Sequence, residues 1–411
     1  MSSDKKKKIG ILTYHRSINY GAVMQAYSLC KRVSKDFPYC DVEIIDYCSK
    51  RTNILYNKSF LNHIKSIFYA PGLNQKKQFT KITIKYILRR FANKKEDFLT
   101  PLFEEHMHNM ILSDDTIITD NTDEFFARIK GKYDAIIVGS DAVFNWNIRK
   151  FPNPYFLHDN FGGFKLSYAA SSYGLEYKEI TEEQKKYIKE SWDTFDYIGV
   201  RDKPTEGFVR YVNSNREANH NCDPTVFLDI DDIPVSDDEI IKKFTEKGID
   251  MQKPIIGIMG LDWLGKTVKE AVGDKFQIVS VYKDNKYADF FLDNIPPLYW
   301  AKVFKFFDVT FTHFFHGNLL SLRNGTPTIA IEKRNKYNTE YNSKIRDFME
   351  RVDLLDCCFY EDEVNIDEIS KRVDNIISNA GEYKNRIKCG IDRESEYYYS
   401  FRDTLLHLLN K

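Results

Sequence analysis

The chain has 411 residues, 42% of them hydrophobic and 15% aromatic, which suffices for two separate cores and excludes a disordered chain. Its 60 Lys+Arg balance its 60 Asp+Glu, so no overall field draws it to nucleic acid, and partners must be read from local features. The seven cysteines are scattered, without C-x-x-C spacing, and imply reduced thiols, neither a disulfide framework nor a zinc site.

No apolar run reaches 18 residues, so no membrane-spanning helix is expected. Residues 9–12, behind a basic start, are too short an apolar stretch for a signal peptide, and a cytoplasmic location is expected. His106 and His108 have Glu104 and Glu105 nearby but no third ligand, so no metal is expected.

In chain order, residues 8–13 read as a strand, 14–21 as a polar loop and 22–33 as a helix by its apolar spacing. Residues 41–47 suit a second strand of a parallel sheet, which opens a Rossmann-like domain. Residues 50–95 interrupt it with 12 Lys or Arg and no Asp or Glu, interleaved with aromatic and aliphatic residues. Two readings stay open: a basic amphipathic surface for an anionic membrane face or lipid phosphate, or a solvated insertion.

Alternation resumes with a helix over 123–129, then a buried strand over 133–138 that ends in Gly139-Ser140-Asp141. A strand follows over 165–170, a helix over 181–192 with Thr181 as cap and Glu183 in its first turn, a strand over 195–200 and a helix carrying Phe208 and Val209. The Pro-bearing acidic run 229–239 marks a domain boundary. Beyond it, strands over 254–259 and 276–282 alternate with helices over 263–272 and 297–306. Helices over 343–352 and 366–377 follow, and 391–409 reads as one long last helix.

The expected class is therefore α/β, with two parallel-sheet, Rossmann-like domains facing each other across a cleft. They cover residues 1–228, with the basic insertion, and 229–390, and the helix over 391–411 is expected to return to the first domain.

Within the second domain, residues 308–332 read as strand, helix and strand, with His316-Gly317 at the first turn. In open α/β sheets ligands gather outside the carboxyl ends of strands, and a helix start offers free N–H groups to anions. A histidine there can trade a proton near neutral pH. The alternative is that His316 only caps or packs the helix.

Several stretches carry a resemblance: Ile9-Gly10-Ile11-Leu12-Thr13-Tyr14, Asn19-Tyr20-Gly21-Ala22, Ile137-Val138-Gly139-Ser140-Asp141 and Ser167-Tyr168-Ala169-Ala170-Ser171. Further on come Val200-Arg201-Asp202, Asp223-Pro224-Thr225, Thr312-His313-Phe314-Phe315-His316-Gly317 and Asn324-Gly325-Thr326-Pro327. In this order the chain resembles the polysaccharide pyruvyl transferase family over nearly its whole length. The resemblance implies a GT-B-like fold of two Rossmann-like domains. It also implies a reaction in which phosphoenolpyruvate donates a pyruvyl ketal to a sugar of a cell-surface polysaccharide or its lipid-linked precursor, with no cofactor. Many members carry an Arg two residues before the His, where it is expected to grip the donor; here that residue is Phe314.

Ketal formation from an enol ether needs a proton on the methylene carbon, attack by a sugar hydroxyl, and loss of phosphate to a second hydroxyl. His316 is the expected general acid. Gly317 and Asn318 are expected to offer backbone N–H groups to phosphate at the helix start. Arg346, Ser343 and Arg334 are the expected donor-binding side chains, with Arg323 and Lys333 as further cations, and Arg346 is favoured because Ser343-Lys344-Ile345-Arg346 resembles a motif of the family. Arg16, Asn19, Tyr20 and Ser140 are expected on the acceptor side, with Asn19 alternatively a helix cap. Asp141 is expected either to bind sugar hydroxyls or to act as a second acid/base. Arg201 and Asp223 read as structural. Two other functions stay open: a glycosyltransferase using a nucleotide sugar, with Glu332 on the ribose, and an inactive relative that binds polysaccharide.

Overall fold

Short runs of β-branched and apolar residues, each followed by a polar turn and an amphipathic helix, build two parallel sheets. The computed structural model describes residues 6–50, 52–53, 80, 99–147, 150–334 and 341–411. The basic segment 50–95 therefore lies outside the described residues except for residues 50, 52, 53 and 80. The chain divides into one unit of residues 1–224 and 398–411 and another of residues 225–397.

In the first unit, β1 (Lys8–Leu12) leads through a loop into α1 (Tyr20–Asp36), β2 (Asp41–Ile44) and β3 (Tyr47–Cys48). There follow α2 (Leu99–Met107), β4 (Ile117–Ile118), α3 (Thr122–Ile129), β5 (Ala135–Val138) and β6 (Phe164–Ala170). The unit continues with α4 (Glu182–Trp192), β7 (Tyr197–Val200), α5 (Lys203–Val212) and β8 (Asn219–His220). Six strands pair in parallel in the order β2-β1-β5-β6-β7-β8. The chain reverses its direction of travel across the sheet between β1 and β5, which makes the crevice outside their carboxyl ends the natural ligand position. Ile136, Val138, Phe125, Phe144, Phe156, Trp192 and Phe208 share one buried apolar cluster. Each such large side chain contributes about 1.5–3 kcal/mol on burial.

Two local expectations change here. Residues 41–47 are not one strand: β2 stays in the main sheet, while β3 pairs with β4 in a two-stranded sheet. The break falls beside Asp46, whose buried carboxylate gathers side-chain donors instead of continuing the strand. Thr181 does cap α4, but the reciprocal bond comes from Gln184, not from Glu183, because the third helical position is the one that reaches back to the cap.

The second unit contains α6 (Asp237–Glu246), β9 (Ile255–Met259), α7 (Asp262–Val272), β10 (Gln277–Val281), β11 (Phe290–Leu292) and α8 (Pro297–Val303). It continues with β12 (Val309–Thr312), α9 (Phe315–Arg323), β13 (Thr328–Glu332), α10 (Lys344–Arg351), β14 (Cys358–Tyr360), α11 (Ile366–Ser378) and α12 (Ala380–Ser395). Its parallel strand order is β11-β10-β9-β12-β13-β14, with the reversal between β9 and β12. The acidic run 229–239 is only partly a linker. Ile230 and Ile233 are buried, and Asp237, Asp238 and Glu239 form the first turn of α6 under a Ser236 cap, where negative charge suits the helix start.

The expected single helix over 391–409 is broken. α12 ends at Ser395, a tight turn spans Glu396–Tyr398, and α13 (Tyr399–Leu409) belongs to the first unit. The turn brings Tyr398 and Phe401 into the first unit's core, with Phe401 4.8 Å from the Tyr168 ring and Arg32 4.6 Å over Tyr398. Only the part from Tyr398 onward joins the first unit; residues 391–397 of the expected helix stay with the second.

Candidate functional site

At the first unit's switch point a cavity of about 260 Å³ opens between the loops that follow β1 and β5; Tyr14, Arg16, Asn19, Asp141, Asn145 and Lys150 are among the residues lining it. Arg16 approaches Asp46 with both Nε (2.6 Å) and Nη2 (2.7 Å), and the fully buried His15 and the exposed Thr116 add bonds of 2.9 and 2.6 Å to the same carboxylate. Burial works against the Asp46 charge, but hydrogen bonds from Arg16, His15 and Thr116 outweigh it and hold the carboxyl well below the usual range. The result is a guanidinium of fixed direction at the rim.

Asp141 stands at φ +76, a left-handed conformation that costs a non-glycine residue on the order of 1–3 kcal/mol and that gathers at functional sites. Gly139, at φ +118, precedes it because a Cβ there would collide with the Tyr168 carbonyl. Arg201 fixes the Asp141 carboxylate, donating from Nη2 to Asp141 (3.0 Å) and from Nη1 to Asp223 (2.6 Å). Arg201 and Asp223 are almost fully buried, whereas the Asp141 side chain remains 19% exposed. Sequence reasoning treated Arg201 and Asp223 as structural; their part in aiming Asp141 appears only in three dimensions.

The other expected acceptor residues separate. Asn19 caps α1 by accepting from the Ala22 N–H (3.3 Å), so its alternative reading as a cap is realised, although it also borders the cavity. Tyr20 turns inward, 3% exposed, with its ring 4.9 Å from Phe103. Ser140 is fully buried and donates to Gln25 Oε1 (2.7 Å). Neither Tyr20 nor Ser140 lines the cavity, which corrects the expectation that they present polar groups there. The helical period places Tyr20 on the core face of α1, and Ser140 is drawn under the loop.

In the second unit, His316 lies in the first turn of α9, just beyond the carboxyl end of β12. It is not the cap. Phe314 occupies that position without a side-chain bond, and Thr312 Oγ1 accepts from the Phe314 N–H (2.9 Å). Gly317 is required by packing, since a Cβ there would lie 2.5 Å from Met259 Sδ and 2.8 Å from Thr312 Oγ1. Asn318 is fully buried, and neither atom of its amide has a hydrogen-bond partner.

Three expected donor-binding side chains meet partners of their own. Arg346 donates from Nε to Glu332 (3.1 Å) and from Nη2 to the Cys358 carbonyl (3.1 Å), and its guanidinium packs 3.9 Å over Tyr360. Ser343 both caps α10 and donates to Glu332. Arg334 packs over Tyr360 and pairs with Asp362 and Glu363. The expected open carboxylate fork at Arg346 is therefore filled from within the chain, because Glu332 is buried and needs those donors. Burial raises the Glu332 carboxyl above its usual value despite Ser343 and Arg346.

His313, Trp263 and Lys283 were not singled out from the sequence. The His313 ring lies 5.5 Å from Trp263 and 4.0 Å from Phe314, and its buried Nδ1 has no hydrogen-bond partner. Burial, then the charges of Lys283 and Lys333, push its pKa down to about 4, so it is neutral at pH 7. Among the described residues no cluster of three or more His, Cys, Asp or Glu could hold a metal, and no helix is long and apolar enough to cross a membrane.

A family model described as polysaccharide pyruvyl transferase matches residues 19–333. No curated protein gives a significant match. Among solved structures, a glycosyltransferase from Rickettsia africae aligns with a TM-score of 0.54 at 8% identity, covering 98% of this chain and 99% of that one. MnaA of S. aureus, solved with UDP, aligns with a TM-score of 0.50 at 10% identity, covering 98% of each. At such identities the likeness concerns the fold alone, that of GT-B-type enzymes with two Rossmann-like domains.

Proposed function

Since the chain belongs to the polysaccharide pyruvyl transferase family, we propose that it transfers a pyruvyl ketal from phosphoenolpyruvate to a sugar of a cell-surface polysaccharide or of its lipid-linked precursor. The observation that carries this reading is the position of His316, in the first turn of a helix at the carboxyl edge of β12, with the capping role left to other groups. There it serves as the acid that protonates the donor's methylene carbon and recovers its proton from the attacking hydroxyl. The N–H group of Gly317 faces the phosphate. The expected contribution of Asn318 is corrected, because its N–H already donates to the Phe314 carbonyl (3.0 Å) within the helix. On the first unit's edge, Asp141 activates a hydroxyl of the acceptor, while Tyr14, Arg16, Asn19 and Asn145 surround the sugar.

The nucleotide-sugar alternative is weakened by Glu332, which is buried among Ser343, Arg346 and Cys358 instead of open to a ribose. The test is to mix the purified chain with phosphoenolpyruvate, with UDP-sugars and with neither, and record melting curves. A ligand at 100 times its Kd stabilises by about 2.7 kcal/mol. Stabilisation by phosphoenolpyruvate supports the reading; stabilisation by UDP-sugars alone replaces it with the alternative.

The reaction takes place in the cytoplasm, and the basic segment 50–95 meets anionic lipid at the inner membrane face. Each Lys or Arg near such a surface contributes about 1 kcal/mol. Vesicles containing phosphatidylglycerol should sediment the protein at low salt and release it at high salt; indifference to them refutes the membrane contact.

A further inference from the structure

Position 314 offers a phenyl ring where an arginine is expected to grip the donor, and Arg346 and Arg334 are both engaged elsewhere. The cationic groups needed for a trianionic donor must come from other strands. Around Phe314 the structure forms a continuous arc of rings at the carboxyl edge of the sheet. Trp263 lies 5.5 Å from His313, His313 4.0 Å from Phe314, and Phe314 5.3 Å from Tyr282. Each end of the arc carries a lysine. Lys333 Nζ sits 5.6 Å over Trp263, and Lys283 Nζ 5.5 Å over Tyr282.

The placement is symmetric about the switch point. β9 and β12 bracket that point, and β10 and β13 are their outer neighbours. Lys283 follows the end of β10 and Lys333 the end of β13. Tyr282 holds the left-handed conformation, φ +81, a strained backbone that turns the chain just before Lys283. We propose that Lys283 and Lys333 hold the anionic groups of the donor from either side of this ring arc and so take the place of the arginine that position 314 lacks. The inference rests on phosphoenolpyruvate being the donor.

The chemistry suits the pair. An ammonium is a compact charge on a flexible stem, able to reach a phosphate or carboxylate without the planar geometry an arginine demands. Holding each ammonium over a ring favours its position before the ligand arrives. His313 stays neutral between the two lysines, held so by burial and by their charges. Its unpartnered Nδ1 adds a polar contact without adding charge. Lys333 also meets Glu361 at 3.3 Å, a half-exposed pair that a trianion can displace, whereas Lys283 has no ion-pair partner among the described residues.

Calorimetric binding of phosphoenolpyruvate to the full chain tests the proposal, using wild type, Lys283→Gln, Lys333→Gln, the double variant, and the double variant with Phe314→Arg added. Loss of one charged hydrogen bond should weaken Kd about ten- to a hundredfold per site, more in the double variant. Restoring an arginine at 314 should recover at least about tenfold of that loss, which a purely structural role for the lysines does not predict. Circular dichroism and melting temperature close to wild type confirm the fold of these surface variants. If wild type binds and the double variant binds within about twofold of it, the lysine grip is wrong while the proposed donor stands. If wild type itself ignores phosphoenolpyruvate, the proposed donor fails and this inference with it.

Discussion

At the switch point of the first sheet the charges come in closed sets: Arg16 meets Asp46, and Arg201 bridges Asp141 and Asp223. At the corresponding edge of the second sheet the side chains are rings and half-buried histidines, with Lys283 and Lys333 at the margins. The two sheets share parallel strands and a reversal near their middle, so the difference comes from the loops and not from the scaffold. Paired charges leave a directed but nearly neutral surface, which suits the hydroxyls of a sugar. Cations over aromatic rings, Lys333 loosely paired with Glu361, suit a small anion. A two-substrate transferase needs both.

The largest expected effect breaks the comparison at its reactive end. His316→Ala should lower turnover by about 10²- to 10⁴-fold while the melting temperature stays nearly unchanged. Retention of more than about a tenth of wild-type turnover would remove His316 from the role of acid.

Next, Arg201→Ala should show what a closed charge set is worth on the first edge. It leaves Asp223 and Asp141 without their shared cation, and breaking a buried pair costs about 3–5 kcal/mol. Urea denaturation measures it, and a change below about 1 kcal/mol would mean that Asp141 is held by something else.

A pH series compares the units at their buried histidines. His106 in the first unit is 2% exposed with neither ring nitrogen partnered, and burial lowers its pKa to about 4, as burial and two lysines do for His313. The unfolded chain, with histidines near 6.5, takes up protons first as pH falls. Stability is therefore complete above about pH 6.5 and lost towards pH 4, by on the order of 3 kcal/mol per histidine. His106→Phe should flatten that slope by its share. An unchanged slope between pH 7.5 and 4.5 would show that His106 does not titrate this way.

The smallest effect separates a cap from a ligand contact. Asn19→Ala should cost about 1 kcal/mol through the start of α1, whereas Asn19→Asp should retain the cap. If both variants keep full acceptor affinity, Asn19 borders the cavity without binding its occupant.

Local patterns were enough to place most strands and helices, because a buried parallel strand is a short apolar run and its helix has an apolar face. The turns at Asp141 and His316 were legible for the same reason: each follows such a run directly. What the sequence could not tell was the direction of polar side chains. Ser140 and Asp141 are neighbours, yet one is buried against Gln25 and the other faces the cavity. Arg346 sits in a motif that suggests an anion grip, but Glu332, fourteen residues earlier, takes its Nε.

The break after Ser395 was equally hidden, since helix spacing continues through 391–409 and only the core that receives Tyr398 and Phe401 requires the turn. By itself the sequence determined the alternation of elements, the two parallel sheets and the strand ends where chemistry gathers, all of which follow from short-range periodicity. Tertiary structure alone decided which charges are neutralised and which stay open, because pairing such as Arg201 with Asp141, or Lys333 with Trp263, joins residues far apart in the chain and depends on burial that no local pattern encodes.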